Sequence, residues 1–442
     1  MPTRRRLLLL LGVCAIIALP AGVLRATCAA RACDQGRTVQ ARIPFCPLPG
    51  DLKALIADGY YEDRSPDVLG VGGVAIAGGA GGAGEASTPW PATDPVPDVR
   101  VPLAFLGTGV DPAATIPDDL TLDRIAPTLT EILGVEWMFP DVHAGLSITG
   151  LARGDRPRLV LEVVWTGGGT PELEADPAAA AAWRRIIDRG AVASTEATTG
   201  SLPLDPVATL TTIGTGGPPS QHGITGGRIR DEEEEGAVVA PWTDVTPTSV
   251  IAALPDDLVQ QDPATKVGAV LPSIGARGIV GGTWWDTGDV AEVTIERRRP
   301  EDAVEALVRN GYGRDETPDV LAVVVDGPAS SFARALETIV PLVLREVPDT
   351  TVVIAATGAR SPANALSAAE IVAHVDANVR SSAPVVEAVT PGGLFLDQGV
   401  LAADGLSSQA AVRPMLGMRT ASGRKVFADA FPGFAVSFAR YC

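Results

Sequence analysis

Four short runs of aliphatic and β-branched residues limit most strongly what this chain can fold into. Each run is nearly free of polar side chains and is followed closely by glycine or another small residue; the runs are 101–106, 159–164, 320–325 and 351–355. Continuous apolar runs of this length are typical of strands that are buried on both faces, as in a parallel sheet. We therefore predict a strand at each of the four places.

Helical patterns alternate with these runs, at 122–133, 177–189, 300–310, 330–346 and 368–379. Strand–helix alternation predicts an α/β protein, and specifically a three-layer α/β/α arrangement around a mostly parallel central sheet. In open sheets of this kind, binding and catalytic side chains gather at the carboxyl ends of the strands. The side chains that directly follow the predicted strands are therefore the first candidates for a site.

The N-terminus has the pattern of an export signal. Arg4, Arg5 and Arg6 precede an apolar stretch from Leu7 to Leu24, and Ala30-Arg31-Ala32 offers a small-residue cleavage pattern. We predict that residues 1–32 are a signal peptide or, if uncleaved, an N-terminal membrane anchor. The protein would then be exported, either extracellular or associated with the cell envelope.

The cysteines agree with an oxidising compartment. Cys28, Cys33 and Cys46 lie in or near a lead at residues 33–50, and Cys442 is the last residue. No two of them have the CxxC spacing of zinc or redox sites, so disulfides are the better interpretation. Sequence alone does not fix the pairing.

Composition excludes several classes of protein. A hydrophobic fraction of 46% excludes a wholly disordered chain, and no second stretch is long enough to cross a membrane. The net charge of −18 argues against nucleic acid as a partner and leaves a membrane contact only through the N-terminal segment. We expect a small ligand or a protein partner of unknown identity.

One stretch is more specific than the rest. Residues 210–224 read LTTIGTGGPPSQHGI. They resemble the "TG, two residues, P, two residues, HGI" signature of the alkaline phosphatase superfamily, in particular its nucleotide pyrophosphatase/phosphodiesterase branch. In physical terms the signature is a helix that ends at glycine, followed by a turn.

A second resemblance lies earlier in the chain. Residues 101–107 and 122–134 are similar to the closing segment of the sulfatases and phosphatases, "VP-x-x-x-x-G … DIAPT … LLG". That segment follows all others in the family, yet here it precedes the opening strand at 159–164. A circular permutation would explain the order and would place Cys442 near the N-terminal cysteines; chance similarity of a short strand–helix unit is the alternative.

On this resemblance residues 51–442 form one domain. Residues 51–150 correspond to the family's closing segment, 151–360 to its opening and central segments, and 361–442 to a peripheral region. The family's chemistry uses two metal ions held by Asp and His, with a Thr or Ser nucleophile. The resemblance therefore implies where such side chains should stand in this chain.

Most of those positions hold other residues. Thr166 and Thr357 stand where aspartates are expected, and Pro206 stands where the nucleophile is expected. Asp326 alone matches a ligand position. The chain's histidines (His143, His222 and His374) are scattered, and we interpret each as structural, so no metal ligand is assigned. Zinc or manganese would be expected only if the site were active.

Candidate site residues follow from these alignments. Thr166, Pro206, Asp326 and Thr357 are predicted to line one pocket. Weak catalytic candidates are Ser201, Asp205, Thr209 and Asp326, because hydroxyl groups near a carboxylate and His222 could form a nucleophile–base pair. The Asp205-Pro206 pair fits a turn equally well.

These observations lead to one hypothesis with two alternatives. We expect an exported alkaline-phosphatase-like protein that is catalytically inactive, a pseudoenzyme that binds a ligand or partner. The first alternative is an active metal-dependent phosphodiesterase or phosphatase with atypical ligands. The second is an envelope-associated structural protein.

Overall fold

A computed structural model describes residues 43–77, 88–137, 145–231, 236–243, 248–284 and 289–442. Residues Pro44–Cys442 form one compact unit. The signal or anchor segment, Cys28, Cys33 and His143 lie outside the described residues.

The described strands, numbered in chain order, are β1 Val68–Gly72, β2 Arg100–Gly107, β3 Leu159–Trp165, β4 Val192–Thr198, β5 Ile229–Asp231, β6 Ala237–Val239, β7 Val267–Leu271, β8 Ala291–Ile295, β9 Asp319–Val325, β10 Thr350–Ala356, β11 Val386–Thr390, β12 Gly393–Leu396 and β13 Phe427–Pro432.

The described α-helices are α1 Gly50–Asp58, α2 Val96–Val99, α3 Ile125–Leu133, α4 Thr170–Ala175, α5 Pro177–Asp188, α6 Pro206–Thr215, α7 Pro219–His222, α8 Leu254–Gln261, α9 Pro300–Arg309, α10 Ala329–Glu346, α11 Ala368–Asn378, α12 Gln398–Ala403 and α13 Gln409–Gly417. Three 3₁₀ helices lie at Leu122–Arg124, Ile274–Ile279 and Gly433–Tyr441.

Seven strands form the main sheet, in the order β4-β2-β10-β3-β9-β7-β8. The five strands from β10 to β8 are parallel, and β2 is antiparallel to both β10 and β4. All four strands predicted from apolar runs belong to this sheet. The antiparallel direction of β2 could not be predicted from its composition, because a strand with neighbours on both sides is buried whichever way it runs.

A second sheet of four antiparallel strands has the order β11-β12-β1-β13. β1 belongs to the segment 51–150, whereas the other three strands of this sheet belong to 361–442. The small sheet has its own apolar core, in which Trp90 contacts Phe427 at 5.4 Å between ring centroids. The segment 51–150 therefore contributes one strand to each sheet, and residues 361–442 build most of the smaller one.

The helices cover the main sheet in two groups. α10 contacts β3, β9 and β10 and packs against α5 and α9. α6 packs against the 3₁₀ helix Ile274–Ile279, α3 and α8. The structure is thus an α/β protein with a large, mostly parallel sheet, as predicted. Within the part of the chain that the structure describes, no helix is both long and apolar enough to span a membrane.

The two ends of the compact unit are joined by a disulfide. Cys46 bonds to Cys442 across 396 residues of sequence, with the Cα atoms 5.1 Å apart. Phe45 packs edge-on against Phe431 of β13 at 5.4 Å, which holds the N-terminal lead against the small sheet. A disulfide is therefore present, as the cysteine pattern predicts, and it joins Cys442 to one of the N-terminal cysteines.

Candidate functional site

Three neighbouring parallel strands end at the same level of the main sheet. Trp165, the last residue of β3, is opposite Val325 of β9 on one side and Ala356 of β10 on the other. The residues that follow these three are Thr166, Asp326 and Thr357. The carboxyl edge of a parallel sheet is where α/β proteins place their sites.

Thr166 and Asp326 are brought together at this edge. The Thr166 hydroxyl donates to Asp326 Oδ1 at 3.3 Å. The Thr357 amide donates to the Trp165 carbonyl at 3.0 Å, and the Thr357 side chain is fully buried with its Oγ1 unpaired. The edge therefore holds one carboxylate and two threonine hydroxyls, and both threonine side chains are buried.

These side chains do not fit a centre of two divalent metal ions. Threonine hydroxyls are neutral, whereas zinc and manganese require several anionic or imidazole ligands that converge. Among the described residues, no three His, Cys, Asp or Glu side chains are grouped so that they could hold a metal ion. Asp326 alone cannot replace the ligand set that the resemblance implies.

The glycines after β3 form a tight exit from the strand. A Cβ on Gly167 would lie 1.6 Å from the Gly327 carbonyl oxygen, and one on Gly168 would meet the Trp165 ring. The Trp165 indole nitrogen donates to that same Gly327 carbonyl at 2.9 Å, and its ring stacks on Phe332 at 5.0 Å. The glycine run is explained by this close approach of two loops.

A small open cleft of about 30 Å³ lies beside Asp326. Pro272 follows β7, Glu296 follows β8 and Asp326 follows β9, so three strand ends meet in its wall. The other side chains that matter are arginines and a serine, supplied by the loop after β8 and by the first turns of α10: Arg297, Arg298, Ser331 and Arg334. The cleft is polar and has both signs of charge.

Two of the charged groups in the cleft are fixed by the backbone. Arg297 Nε donates to the Pro272 carbonyl at 2.6 Å. Glu296 accepts from the Arg298 and Arg299 amides, and these hydrogen bonds, with the nearby Arg298 charge, lower the pKa of its carboxyl. Arg334 forms no ion pair with any residue that the structure describes. It is exposed at the cleft and free to meet an anion.

The segment 201–209 faces other surroundings. Asp205 caps α6, with Oδ1 accepting from the Val207 amide at 2.9 Å and Oδ2 from the Gly227 amide at 3.0 Å. Burial raises the pKa of Asp205, and this effect is larger than that of the backbone hydrogen bonds, which lower it. Asp205 lines a different cavity, of about 10 Å³, and is not among the residues that line the cleft beside Asp326.

The remaining candidates of this segment are buried and engaged elsewhere. Pro206 is the first residue of α6 and is not part of the cleft lining. The Thr209 hydroxyl donates to the Asp205 carbonyl at 3.1 Å, and Ser201 is buried with its carbonyl accepting from Thr199. Within the described part of the chain, neither hydroxyl is hydrogen-bonded to a histidine or a carboxylate. The structure therefore brings Thr166 and Asp326 together. Of the four residues predicted to line one pocket, Asp326 lines the cleft, whereas Thr166, Pro206 and Thr357 are not among the residues of its lining.

His222 holds the turn of the signature stretch. The side chain is fully buried, and its Nδ1 accepts a hydrogen bond from the Ile224 amide at 3.1 Å. Because Nδ1 is an acceptor, the proton is on Nε2, which donates to the Thr212 hydroxyl at 3.0 Å. Burial lowers its pKa to about 3. The flanking Gly216 and Gly223 adopt φ values of 70° and 77° at the ends of α6 and α7. His374 lies on α11 with Nε2 3.2 Å from the Pro414 carbonyl.

The arginines of the cleft were not predicted as site residues. Arg297 and Arg298 belong to a run of three arginines between β8 and the proline that begins α9, which is the one signal that the sequence offered. Arg334 had no local signal, because its helix pattern shows only that it is exposed. The tertiary fold alone brings it to Asp326.

Comparisons with known proteins give no match by sequence and a weak match by structure. The chain matches no protein-family model and no curated protein. Among solved structures it is similar to phosphonoacetate hydrolase from Sinorhizobium meliloti 1021 in complex with phosphonoacetate, at 19% identity and a TM-score of 0.27. The match covers 42% of this chain and 54% of the hydrolase chain, so it spans about half of that protein. The similarity to this hydrolase fold is weak.

Proposed function

We propose that the protein is an exported pseudoenzyme with an alkaline-phosphatase-like three-layer core, which binds a small anionic ligand in the cleft beside Asp326. The observation that carries the proposal is the hydrogen bond between Thr166 and Asp326. It places a neutral hydroxyl beside the single carboxylate of the strand edge, where metal-dependent phosphoryl transfer would need a second anionic ligand.

Binding in the cleft is supported by its charge. Arg298, Ser331 and Arg334 offer hydrogen-bond donors at its rim. Guanidinium groups pair well with carboxylate, phosphate or sulfate because the planar donors match two anionic oxygens. Asp326 and Glu296 would select against ligands that are purely anionic, so the ligand would also have a donor group.

Export is supported by the disulfide as well as by the N-terminal pattern. Disulfides persist in oxidising compartments and are rare in the cytosol of most organisms. The bond between Cys46 and Cys442 therefore favours a protein that works outside the cytoplasm.

Catalysis is tested with the purified full chain, supplied with zinc or manganese and with phosphodiester and phosphomonoester substrates. We expect no turnover above that of buffer, and no stoichiometric metal by elemental analysis. Metal-dependent hydrolysis that is lost in Asp326→Ala but retained in Asp188→Ala would establish the alternative, an active hydrolase. Asp188 is a suitable control because it is exposed at the end of α5.

Ligand binding is tested separately, by calorimetric titration of the same protein with small carboxylates, phosphate and sulfate. We expect at least one of these anions to bind, and Arg334→Gln to weaken that binding about tenfold through loss of a charge-assisted hydrogen bond. Arg184→Gln, an exposed arginine on α5, should leave binding unchanged. Absence of binding by every anion, or equal loss in both variants, would remove the cleft from the proposal.

A further inference from the structure

A cavity of about 420 Å³ lies beside the small sheet, in a part of the molecule that the proposed function does not use. Three segments form its walls, and we name it the small-sheet cavity: residues 74–75 after β1, residues 364–370 leading into α11, and the turn 420–424 before β13. Its volume lies in the range of pockets that bind small molecules. The residues that line it are all different from those that line the cleft beside Asp326.

Backbone hydrogen bonds join the three walls of the small-sheet cavity. The Leu366 amide donates to the Ala75 carbonyl at 3.0 Å, which connects the first two segments. The Gly73 amide donates to the Val426 carbonyl at 2.8 Å, which holds the turn 420–424 beside the end of β1. The walls are therefore fixed by the fold itself, and the cavity does not depend on a ligand to form it.

The lining of the small-sheet cavity contains one carboxylate and one guanidinium group, Glu370 and Arg424. Glu370 Oε2 accepts hydrogen bonds from the Ser367 amide at 2.9 Å and from the Ser367 hydroxyl at 2.8 Å, and these bonds lower the pKa of its carboxyl. Glu370 is therefore negatively charged at neutral pH. The Arg424 guanidinium forms no hydrogen bond or ion pair with any residue that the structure describes.

The two charges share one cavity without contacting each other. Glu370 and Arg424 form no ion pair, so their charged nitrogen and oxygen atoms are more than 4 Å apart. A purely anionic ligand would be repelled by Glu370, and a purely cationic ligand would be repelled by Arg424. A neutral ligand would cover both charges without pairing either of them. The cavity therefore favours a ligand that carries one positive and one negative group.

The other side chains of the lining add polar and apolar contacts. Asn364, Thr420 and Ser422 supply amide and hydroxyl groups. Val74 and Leu366 are half-buried and pack against the apolar core of the small sheet, so they form a firm apolar part of the wall. A ligand with a small apolar portion would lie against these two side chains.

We propose that the small-sheet cavity binds a free α-amino acid with an apolar side chain. Its ammonium group pairs with Glu370, its carboxylate pairs with Arg424, and its side chain lies against Val74 and Leu366. A guanidinium group matches a carboxylate through two parallel hydrogen bonds. An α-amino acid carries both charged groups on one carbon, so a single small molecule can bridge the two residues. The inference does not depend on what the cleft beside Asp326 binds.

The test uses the purified full chain, with L-leucine as the probe and two analogues that each lack one charge. 4-Methylpentanoate keeps the carboxylate, and 3-methylbutylamine keeps the ammonium group. In calorimetric titrations we expect L-leucine to bind about fivefold more tightly than either analogue, the contribution of one partly exposed ion pair. An analogue that binds as tightly as L-leucine would overturn the proposal, as would an absence of binding by L-leucine.

Single variants assign each charge of the ligand to its partner. Arg424→Gln should weaken L-leucine binding about fivefold and remove its advantage over 3-methylbutylamine. Glu370→Gln should do the same relative to 4-methylpentanoate, while its amide oxygen can still accept from Ser367 at the start of α11. A general loss of binding for all three compounds in both variants would show a structural effect on the cavity and contradict the pairing.

Control variants remove exposed charges outside the small-sheet cavity. Glu131→Gln on α3 and Arg413→Gln on α13 should leave L-leucine binding unchanged. If Arg334→Gln weakened the binding and Arg424→Gln did not, L-leucine would occupy the cleft beside Asp326, and the proposal would fail while the proposed function stood.

Hydrogen exchange of the native chain locates the ligand without any substitution. With saturating L-leucine, the amides of residues 364–370 and 420–424 should exchange more slowly, whereas those of residues 329–336 at the start of α10 should not change. Slower exchange at residues 329–336 alone would place the ligand in the other cleft and overturn the proposal.

Discussion

At the scale of single residues, Gly167 illustrates how closely the loops of the sheet edge approach. Any side chain there would collide with the Gly327 carbonyl, since a Cβ would lie 1.6 Å from its oxygen. We expect Gly167→Ala to lower the free energy of unfolding by about 3 kcal/mol, the upper part of the range for overpacking. Urea denaturation measures the change.

Gly417→Ala is the matched control for that substitution. Gly417 ends α13, and a Cβ there would meet nothing within 4 Å. Its replacement should change the free energy of unfolding by less than about 1 kcal/mol, because only the entropy of the unfolded chain is affected. Similar losses in both variants would show that the loops at the sheet edge can separate.

Glu162 is an ionisable residue in the middle of the central strand. It lies on β3 opposite Val353 and Ala322, and burial raises its pKa from 4.5 to about 8. The folded protein therefore binds a proton that the unfolded chain releases, so this residue makes stability fall as pH rises from about 4.5 to 8. His222 acts oppositely, since its lowered pKa makes stability rise from about pH 3 to 6.5.

The two effects oppose each other below pH 6.5, and of these two residues only Glu162 acts above it. Between pH 6.5 and 8 we expect Glu162 to reduce the free energy of unfolding by about 1–2 kcal/mol, at up to about 1.4 kcal/mol per pH unit. In Glu162→Gln this decline should disappear, as measured by urea denaturation across the pH range. Glu131→Gln, on the exposed face of α3, is the control and should show the same decline as the native protein. If the decline persists in Glu162→Gln, another group binds the proton.

At the scale of elements, the sequence predicted those parts of the fold whose signal is local. The runs that became β2, β3, β9 and β10 are apolar because neighbouring strands and helices cover them, and α9 and α10 show the matching amphipathic pattern. The small sheet was not predicted, because β1 contains two glycines and pairs with strands more than 320 residues away. No local pattern specifies such a partner.

Helix α6 provides a prediction at this scale, because its first turn depends on Asp205. The carboxylate accepts amide hydrogen bonds from α6 and from the loop at Gly227, in a buried setting. Asp205→Ala should therefore cost about 2–3 kcal/mol of stability, more than an ordinary cap, since the Gly227 amide is left unpaired.

Asp176 offers the comparison for Asp205, because it caps α5 through the Ala178 and Ala179 amides at the surface. Asp176→Ala should cost about 1 kcal/mol, and both losses are measured by thermal and urea unfolding. An Asp205→Ala protein of unchanged stability would contradict a capping role and return Asp205 to the catalytic candidates.

At the scale of the whole molecule, the candidate site was only partly predictable. Asp326, Thr166 and Thr357 could be named because each follows a recognisable strand, and the parallel order then aligns their ends. Arg334 could not be named, since its place in the cleft depends on how α10 packs on the sheet. Pro206 was chosen by counting residues from a motif, which gives a position in the sequence but not the direction of the side chain; it lies in the first turn of a buried helix.

The disulfide links the residues just before α1 to the end of the C-terminal 3₁₀ helix and so affects the whole unit. Cys46 and Cys442 close a loop of nearly 400 residues, for which the chain-entropy model gives more than about 5 kcal/mol, although measured effects are commonly about 2–4. We expect Cys442→Ser to lower the free energy of unfolding by about 2–4 kcal/mol. The loss should come with an unchanged main sheet, because the bond lies beside the small sheet and the C-terminal helix.

Treatment with a reductant separates the contribution of the disulfide bond to stability from that of the packing of the cysteine side chains. The native chain should lose stability on reduction by the same amount as Cys442→Ser loses without reductant, whereas the variant should lose nothing more. Hydrogen exchange should show the loss first at Gly433–Tyr441 and α1, which pack together near the bond. If reduction instead destabilised β3 and β10 while the C-terminal helix stayed protected, the disulfide would not be what holds the two ends of the unit together.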